Sequence, residues 1–226
     1  MIPDIATLVG ELGCAPDEAL LLQALTHRSY SYEHGGLDHN ERLEFLGDSV
    51  LGIAVTTKLF SDFPDFDEGK LARHRAALVS TLALADIARR IGLGQYLLLG
   101  VGEERSGGRD KDSILADTLE AIIGATYISC GPDHARDLVL RLIAPLEQDS
   151  ARFGVAIDPK THLQELAATR SLTLRYEVES EGPDHARTFT ATVSVGDACQ
   201  ATGTGSSKKH AEMAAALAAW NVLTDE

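Results

Sequence analysis

Near residue 146 the spacing of apolar side chains changes from a helical period to strand alternation, so the chain must build two units on different plans. Before that point the period is close to 3.6. Residues 17–25 carry Ala19, Leu20, Leu22 and Leu25, and residues 43–60 continue with Leu46, Val50, Ile53, Ala54 and Leu59, stopping near Pro64. Residues 71–91 and 113–128 form two more long periodic runs, and Gly35-Gly36, Gly92, Gly94, Gly107-Gly108 and Gly131-Pro132 punctuate them. Residues 1–146 are therefore predicted to be all-α.

Residues 147–158 are polar and lead through Asp158-Pro159 into a second unit, as a linker would. A short helix is expected over 161–168, with Leu163, Leu166 and Ala167 on one face. Segments 172–178, 189–195 and 198–204 then alternate or carry β-branched residues, with Gly182-Pro183 and Gly196-Asp197 at the turns. An alanine-rich helix over 206–223 closes the chain. The fold class is thus multi-domain: an all-α domain over 1–146, a linker over 147–158, and a small α+β domain of order α-β-β-β-α over 159–226. The phrase Gly-Pro-Asp-His-Ala-Arg occurs at both 131–136 and 182–187, but the contexts differ and the repeat reads as chance. In the first copy Asp133 is expected to cap a helix.

Charge complicates any functional reading. A net charge of −14 favours, taken alone, a small-molecule enzyme or a protein-binding module, because phosphate contacts need Lys and Arg. Clustered carboxylates have another use, as ligands for divalent cations that then supply the positive charge. Cys14, Cys130 and Cys199 form no CxxC pair, which suits buried thiols in a reducing cytoplasm. No run approaches the roughly 20 apolar residues that span a bilayer, and the N-terminus has no secretory pattern. No membrane partner is expected.

Residues three and four apart share a helix face, so Glu41, Glu44 and Asp48 lie on one stripe. That stripe alone is equally compatible with a solvated surface. Asp117 and Glu120 repeat the spacing inside a run that is otherwise apolar all round, Ser113-Ile114-Leu115-Ala116-Asp117-Thr118-Leu119-Glu120-Ala121-Ile122-Ile123, and should be buried. Two carboxylates on a buried helix face cost several kcal/mol unless paired or metal-bound. Neither run contains a basic residue other than Arg42. Acids converging without cations describe a hard-cation site, and Mg²⁺, with oxygen ligands and retained waters, fits two helices that each give two carboxylates.

The run Asn40-Glu41-Arg42-Leu43-Glu44-Phe45-Leu46-Gly47-Asp48-Ser49-Val50-Leu51 resembles, almost letter for letter, the signature of the ribonuclease III family. Ala24-Leu25-Thr26-His27-Arg28-Ser29, Asp67-Glu68-Gly69-Lys70-Leu71 and the run from Ser113 to Gly124 are similar to further family segments, in the same order and spacing. The resemblance implies an endoribonuclease that hydrolyses double-stranded RNA with Mg²⁺ (Mn²⁺ substituting), leaving 5′-phosphate and 3′-hydroxyl ends with short 3′ overhangs. Ribosomal precursors and other structured RNAs are the implied substrates. It further implies that Glu44, Asp48, Asp117 and Glu120 hold the metal, with Asp48 and Glu120 catalytic, and that Glu41 and Glu68 are secondary acids of a cleavage valley. Phe45 matches the aromatic residue that plugs into a partner subunit, implying a homodimer with two cutting centres.

Residues 159–226 resemble a double-stranded RNA-binding domain, a class that reads A-form shape across two minor grooves and the phosphates between them. Gln164 and Glu165 on its first helix, His185 in the 182–185 loop, and Lys208 and Lys209 at the start of the last helix are the implied contacts. A Lys-Lys pair also commonly marks a solvated helix end; in this setting the phosphate clamp is favoured. One departure stands out: residues 155–226 carry six Lys and Arg against ten Asp and Glu, and Glu212 stands where another cation is expected. Affinity should be modest and salt-sensitive.

Other chemistries lack support. Gly100-Val101-Gly102-Glu103-Glu104-Arg105 fails GxGxxG and no GxxxxGK[ST] occurs, so no nucleotide cofactor is expected. The histidines show no paired-ligand spacing, and Ser49 with His27 lacks a third catalytic partner. Aromatics at 5% are thin for single-strand stacking. Two rival classes remain: a non-catalytic duplex-RNA-binding protein dimerised through its first domain, against which the intact acids speak, and a DNA- or single-strand-specific nuclease, against which the second domain speaks.

Overall fold

The computed structural model describes residues 5–147, 155, 158–182 and 187–224. The chain divides into two compact units, Met1–Ser150 and Ala151–Glu226.

The first unit is helical: α1 (Ile5–Leu12), α2 (Glu18–Leu25), α3 (Arg28–Glu33), α4 (Glu41–Asp62), α5 (Glu68–Leu78), α6 (Thr81–Arg90), α7 (Val101–Arg105), α8 (Asp112–Cys130) and α9 (Pro132–Glu147), with 3-10 turns at Leu93–Tyr96 and Gly108–Asp110. At its centre α8 buries Ile114, Leu115, Leu119, Ile122 and Ile123. Each such side chain contributes about 1.5–3 kcal/mol on burial, which together outweighs the cost of keeping two carboxylates half-buried on the same helix. By length and composition α8 could also cross a membrane, but 61% of that window is buried inside this unit, as befits a core helix. Against α8 lies α4, burying Leu43, Gly47, Val50, Leu51, Ala54, Val55 and Leu59.

Glycines set how closely these two helices approach. A Cβ on Gly47 would fall inside the van der Waals radius of the Glu120 carbonyl oxygen, and one on Gly124 would do the same at the Leu43 carbonyl. The main chains therefore touch at this crossing, and the acids flanking it are drawn to one place.

Two local expectations are corrected. The single periodic run over 71–91 is two helices, because the Ser80 hydroxyl accepts the Ala83 N–H (3.2 Å) and starts α6 afresh. Asp133 lies inside the first turn of α9 and does not cap it: Pro132 takes the first helical position, where its fixed φ and missing N–H are harmless, and the Gly131 carbonyl accepts from Ala135 (3.2 Å).

In the second unit α10 (Pro159–Thr169), β1 (Leu174–Glu181), β2 (Thr188–Val195), β3 (Cys199–Gly205) and α11 (Lys208–Thr224) form an antiparallel sheet of order β1-β2-β3 packed against the helices. The register pairs Leu174 with Val195 and Val195 with Cys199, so the β2 residues Ala191, Val193 and Val195 face the helices. Asp158 caps α10 by accepting the Thr161 N–H (3.2 Å). The alanine face of α11 lies directly on β3, where a Cβ on Gly203 would collide with the Ala215 nitrogen and one on Gly205 with that of Ala211.

Candidate metal centre and nucleic-acid interface

Around the α4–α8 crossing, one carboxylate oxygen from each of Glu44, Asp117 and Glu120 lies within 4.8 Å of the other two. All three are partly buried. Burial, reinforced by Asp48, Asp117 and Glu44, pushes the Glu120 carboxyl up to about 8. Burial and Asp117 raise Glu44 likewise, and burial raises Asp117. No cation is among the groups acting on Glu120. Three hard oxygen donors that repel one another's charge this strongly fit a divalent cation, whose charge would remove the penalty.

Asp48 is placed differently from the expectation that all four acids converge. It is exposed and falls outside the 4.8 Å cluster, although its charge is felt at Glu120 and Glu44. A separate hollow takes it in, lined also by Ser49, Gly52, Ile53, Thr56 and Arg75. Glu41 borders the same cleft as Glu44 and Asp117. Glu68 does not: it is exposed in the first turn of α5, in another hollow with Phe60, Phe66 and Arg75.

The cleft holding Glu44 and Asp117 has a volume of about 500 Å³, and its other walls are His27, Arg28, Asn40, Glu103, Lys111, Ser113 and Ile114. The absence of basic neighbours expected from the two acidic runs holds only within those runs. Arg28, from α3, reaches Glu41 (3.3 Å) and lowers Glu44 and Asp117 against the larger effect of burial. Lys111 is bonded to Glu103 and to Ser106 (2.8 Å). Arg28 and Asn40 lie inside motif blocks and Lys111 just before one, which is the available signal; no periodicity connects them.

A backbone joint assembles this wall. The Leu98 N–H bonds Leu25 (2.9 Å), the His27 N–H bonds Leu98 (3.1 Å), and the Asn40 N–H bonds Thr26 (3.0 Å), which sets His27 beside Asn40. Ser29 and Glu33 then pin the start of α7, accepting from the Gly100 N–H (2.9 Å) and the Val101 N–H (3.0 Å).

On α4, Phe45 is 80% exposed, Ile53 64% and Phe60 72%, a stripe of large apolar side chains facing outward. Exposure of this extent on one helix face is the mark of a surface that another body covers.

In the second unit Gln164 and Glu165 are exposed on α10, and Lys208 and Lys209 occupy the first turn of α11, which the Ser207 hydroxyl caps by accepting from His210 (3.2 Å). His185 lies outside the described residues. Glu212, only 14% exposed, bonds Lys160 (2.7 Å) and sits 3.9 Å from Lys208. Lys160 in turn lies over the Tyr176 ring, whose hydroxyl is pushed up to about 12 by burial and then by Glu212. The acid found in place of a cation is thus an internal partner for two lysines. Because such pairs contribute about 0–1 kcal/mol, Glu212→Gln is expected to tighten duplex-RNA binding up to about fivefold by freeing Lys208; a titration showing weaker binding would contradict this.

A family model described as Ribonuclease-III-like matches residues 17–146, and one described as Double-stranded RNA binding motif matches residues 159–223. The chain is 60% identical to Ribonuclease 3 of Leifsonia xyli subsp. xyli over 223 residues, covering 98% of this chain and 94% of that protein. It is 56% identical to Ribonuclease 3 of Streptomyces coelicolor, covering 96% of this chain and 79% of the relative. Among solved structures, the nuclease domain of ribonuclease III from Campylobacter jejuni is similar at 44% identity and a TM-score of 0.60, over 63% of this chain and 97% of that one; its description refers to a region involved in dimer formation.

Proposed function

The chain belongs to the ribonuclease III family of metal-dependent, double-stranded-RNA-specific endoribonucleases, and from that premise we propose that Mg²⁺ is the metal and that Glu44, Asp117 and Glu120, with Asp48, hold it. Mn²⁺, equally served by oxygen ligands, is the expected substitute. The observation that carries this reading is the triad itself, three carboxylates within 4.8 Å of one another with Glu120 pushed to about 8.

Hydrolysis to 5′-phosphate and 3′-hydroxyl ends consumes one water: its oxygen bonds to phosphorus, the bond to the 3′ oxygen breaks, and the 3′ oxygen leaves with a proton. A bound divalent ion supplies charge neutralisation at the phosphate, activation of the water and stabilisation of the leaving oxygen. The chain's own part is to fix geometry. The Gly47 and Gly124 contact holds Glu44 against Asp117 and Glu120, and Glu120 releases its proton as the site fills, so metal uptake strengthens with pH. Asp48 and Glu120 are the residues assigned to catalysis, and Glu41 to the rim of the valley. The test is incubation of a long RNA duplex with Mg²⁺, Mn²⁺, Ca²⁺ or EDTA. Cutting is expected with the first two only; cutting in EDTA would remove the metal from the reaction.

The second unit binds double-stranded RNA. Gln164, Glu165, His185, Lys208 and Lys209 are assigned as its contacts, supported for the lysines by their place at a capped helix start, where backbone N–H groups and the dipole also favour phosphate. Replacing both Lys208 and Lys209 by Ala should weaken binding and reduce the salt slope by about two. An unchanged slope would sink the clamp.

We infer a homodimer joined through Phe45, Ile53 and Phe60, supported by their exposure. Two cutting centres in such a dimer account for staggered cuts. Glu68 lies beside Phe60, so its role in the valley is tied to that dimer. Phe45→Glu is expected to give monomers in sedimentation; a persistent dimer would overturn the assignment. Cytoplasmic ribosomal precursors and structured messages are the proposed substrates.

A further inference from the structure

One wall of the cleft is built from polar groups to which metal binding gives no task. Asn40 is 2% exposed, yet it borders the cleft beside Glu44 and Asp117. Asparagine is among the best helix caps, and Asn40 holds the cap position of α4. It does not cap, because its backbone is already helical (φ −72, ψ −23), and its carboxamide bonds no other described residue. The carboxamide is not sealed from solvent, so it is free to bond what enters the cleft.

Beside it, His27 is held in one orientation and one tautomer. Its Nδ1 accepts the Ser29 N–H (3.3 Å) and lies 2.8 Å from the Ser29 hydroxyl, which itself accepts from the Gly100 N–H (2.9 Å). An accepting Nδ1 leaves the proton of the neutral ring on Nε2. Burial pushes the His27 pKa down, in the direction that favours the neutral ring. The two cations of the same cleft are already engaged, Arg28 by Glu41 and Lys111 by Glu103.

We propose that the Asn40 carboxamide and the His27 Nε2–H form a neutral donor pair that binds a non-bridging phosphate oxygen of the RNA strand in the cleft, at or next to the phosphate being cut. The inference rests on the cleavage reading above. Neutral donors suit this place: they hold a phosphate oxygen without adding charge that would repel the metal from the acids opposite.

The test uses the full chain and a short duplex carrying a single phosphorothioate, or a single 2′-deoxy sugar, at each position flanking the cut. Asn40→Ala and His27→Ala should slow single-turnover cleavage at saturating duplex about 10- to 100-fold, the range for losing a hydrogen bond to a charged group. His27→Gln, which keeps a donor near Nε2, should recover part of that loss. The upward shift in melting temperature produced by Mg²⁺, and duplex affinity in Ca²⁺, should match wild type, because the pair tightens on the phosphate oxygen only as charge gathers there in the transition state. One phosphorothioate that slows wild type should cost Asn40→Ala nothing further. A persisting phosphorothioate penalty, a penalty that moves to the 2′-deoxy sugar, a lost Mg²⁺ shift or unchanged cleavage would each overturn the proposal. Asn40→Ser provides the same readings should Asn40→Ala fold poorly. If wild type itself shows neither a Mg²⁺ shift nor Mg²⁺-dependent cutting, it is the metal reading that has failed.

Discussion

Glu120→Gln is expected to lower single-turnover cleavage at least about a thousandfold while leaving duplex affinity in Ca²⁺ near that of wild type. The substitution preserves shape but removes the negative charge of one metal ligand and puts an amide nitrogen in place of one of its two oxygens. It should also make the metal-free protein more stable, an outcome that separates a ligand site from an ordinary ion pair. In the folded chain Glu120 holds its proton to about 8, well above the ordinary carboxylate value of 4.5, so between those values the native state binds more protons than the unfolded one. Its contribution to stability is complete below about 4.5 and is lost as pH rises through about 8. Burial, the first cause of the raised Glu120, Glu44 and Asp117, acts in the same direction on all three. The melting temperature of the metal-free enzyme should therefore fall from pH 5 to pH 9, Mg²⁺ should offset the fall, and Glu120→Gln should flatten it and add roughly 2–5 °C at pH 8. A flat wild-type profile, or cleavage undiminished in the variant, would remove Glu120 from the metal site.

The second large effect belongs to a residue without a side chain. Gly47→Ala should both destabilise the protein and cost about a hundredfold or more in cleavage. In an open helix the same change stabilises by about 1 kcal/mol, but here the new methyl meets the Glu120 main-chain oxygen, which cannot rotate away. The helices must separate, and overpacking of this kind costs about 1–3 kcal/mol or more. Displacing the acids by about 1 Å is enough for a hundredfold loss in rate. Gly10→Ala, on α1 where a Cβ meets nothing within 4 Å, is the control and should be neutral or stabilising. Thermal melts and single-turnover rates on both variants decide the matter. Equal behaviour of the two would mean that the crossing gives way without harm.

Much of this was readable from the chain, and what was not has a physical cause. The change of period separated the helical unit from the sheet unit, and the i, i+3 spacing put acids on helix faces, because both are properties of a single element. Neighbours contributed by other elements leave no such trace. Arg28 reaches Glu41 from another helix, and Asn40 borders the cleft from a cap position whose dihedrals are helical where a cap's would be extended. Asp48 shares a stripe with Glu44, but the helix turns it toward a different hollow. The run over 71–91 reads as one helix for another reason: apolar spacing survives across Val79-Ser80, while a single hydroxyl starts a new helix there.

The tight seating of α11 on Gly203 and Gly205 has a consequence for recognition. With Ala211 and the His210 Cβ against the bare backbone of Gly205, and Ala214 and Ala215 against that of Gly203, the start of the helix is held close on β3. The positions from which Lys208 and Lys209 reach outward are therefore settled at folding, and on the proposed clamp, meeting an RNA duplex would order only the two side chains themselves. The domain can then act as a caliper, gauging the interval between backbones by a gap it does not have to find anew for each helix it grips.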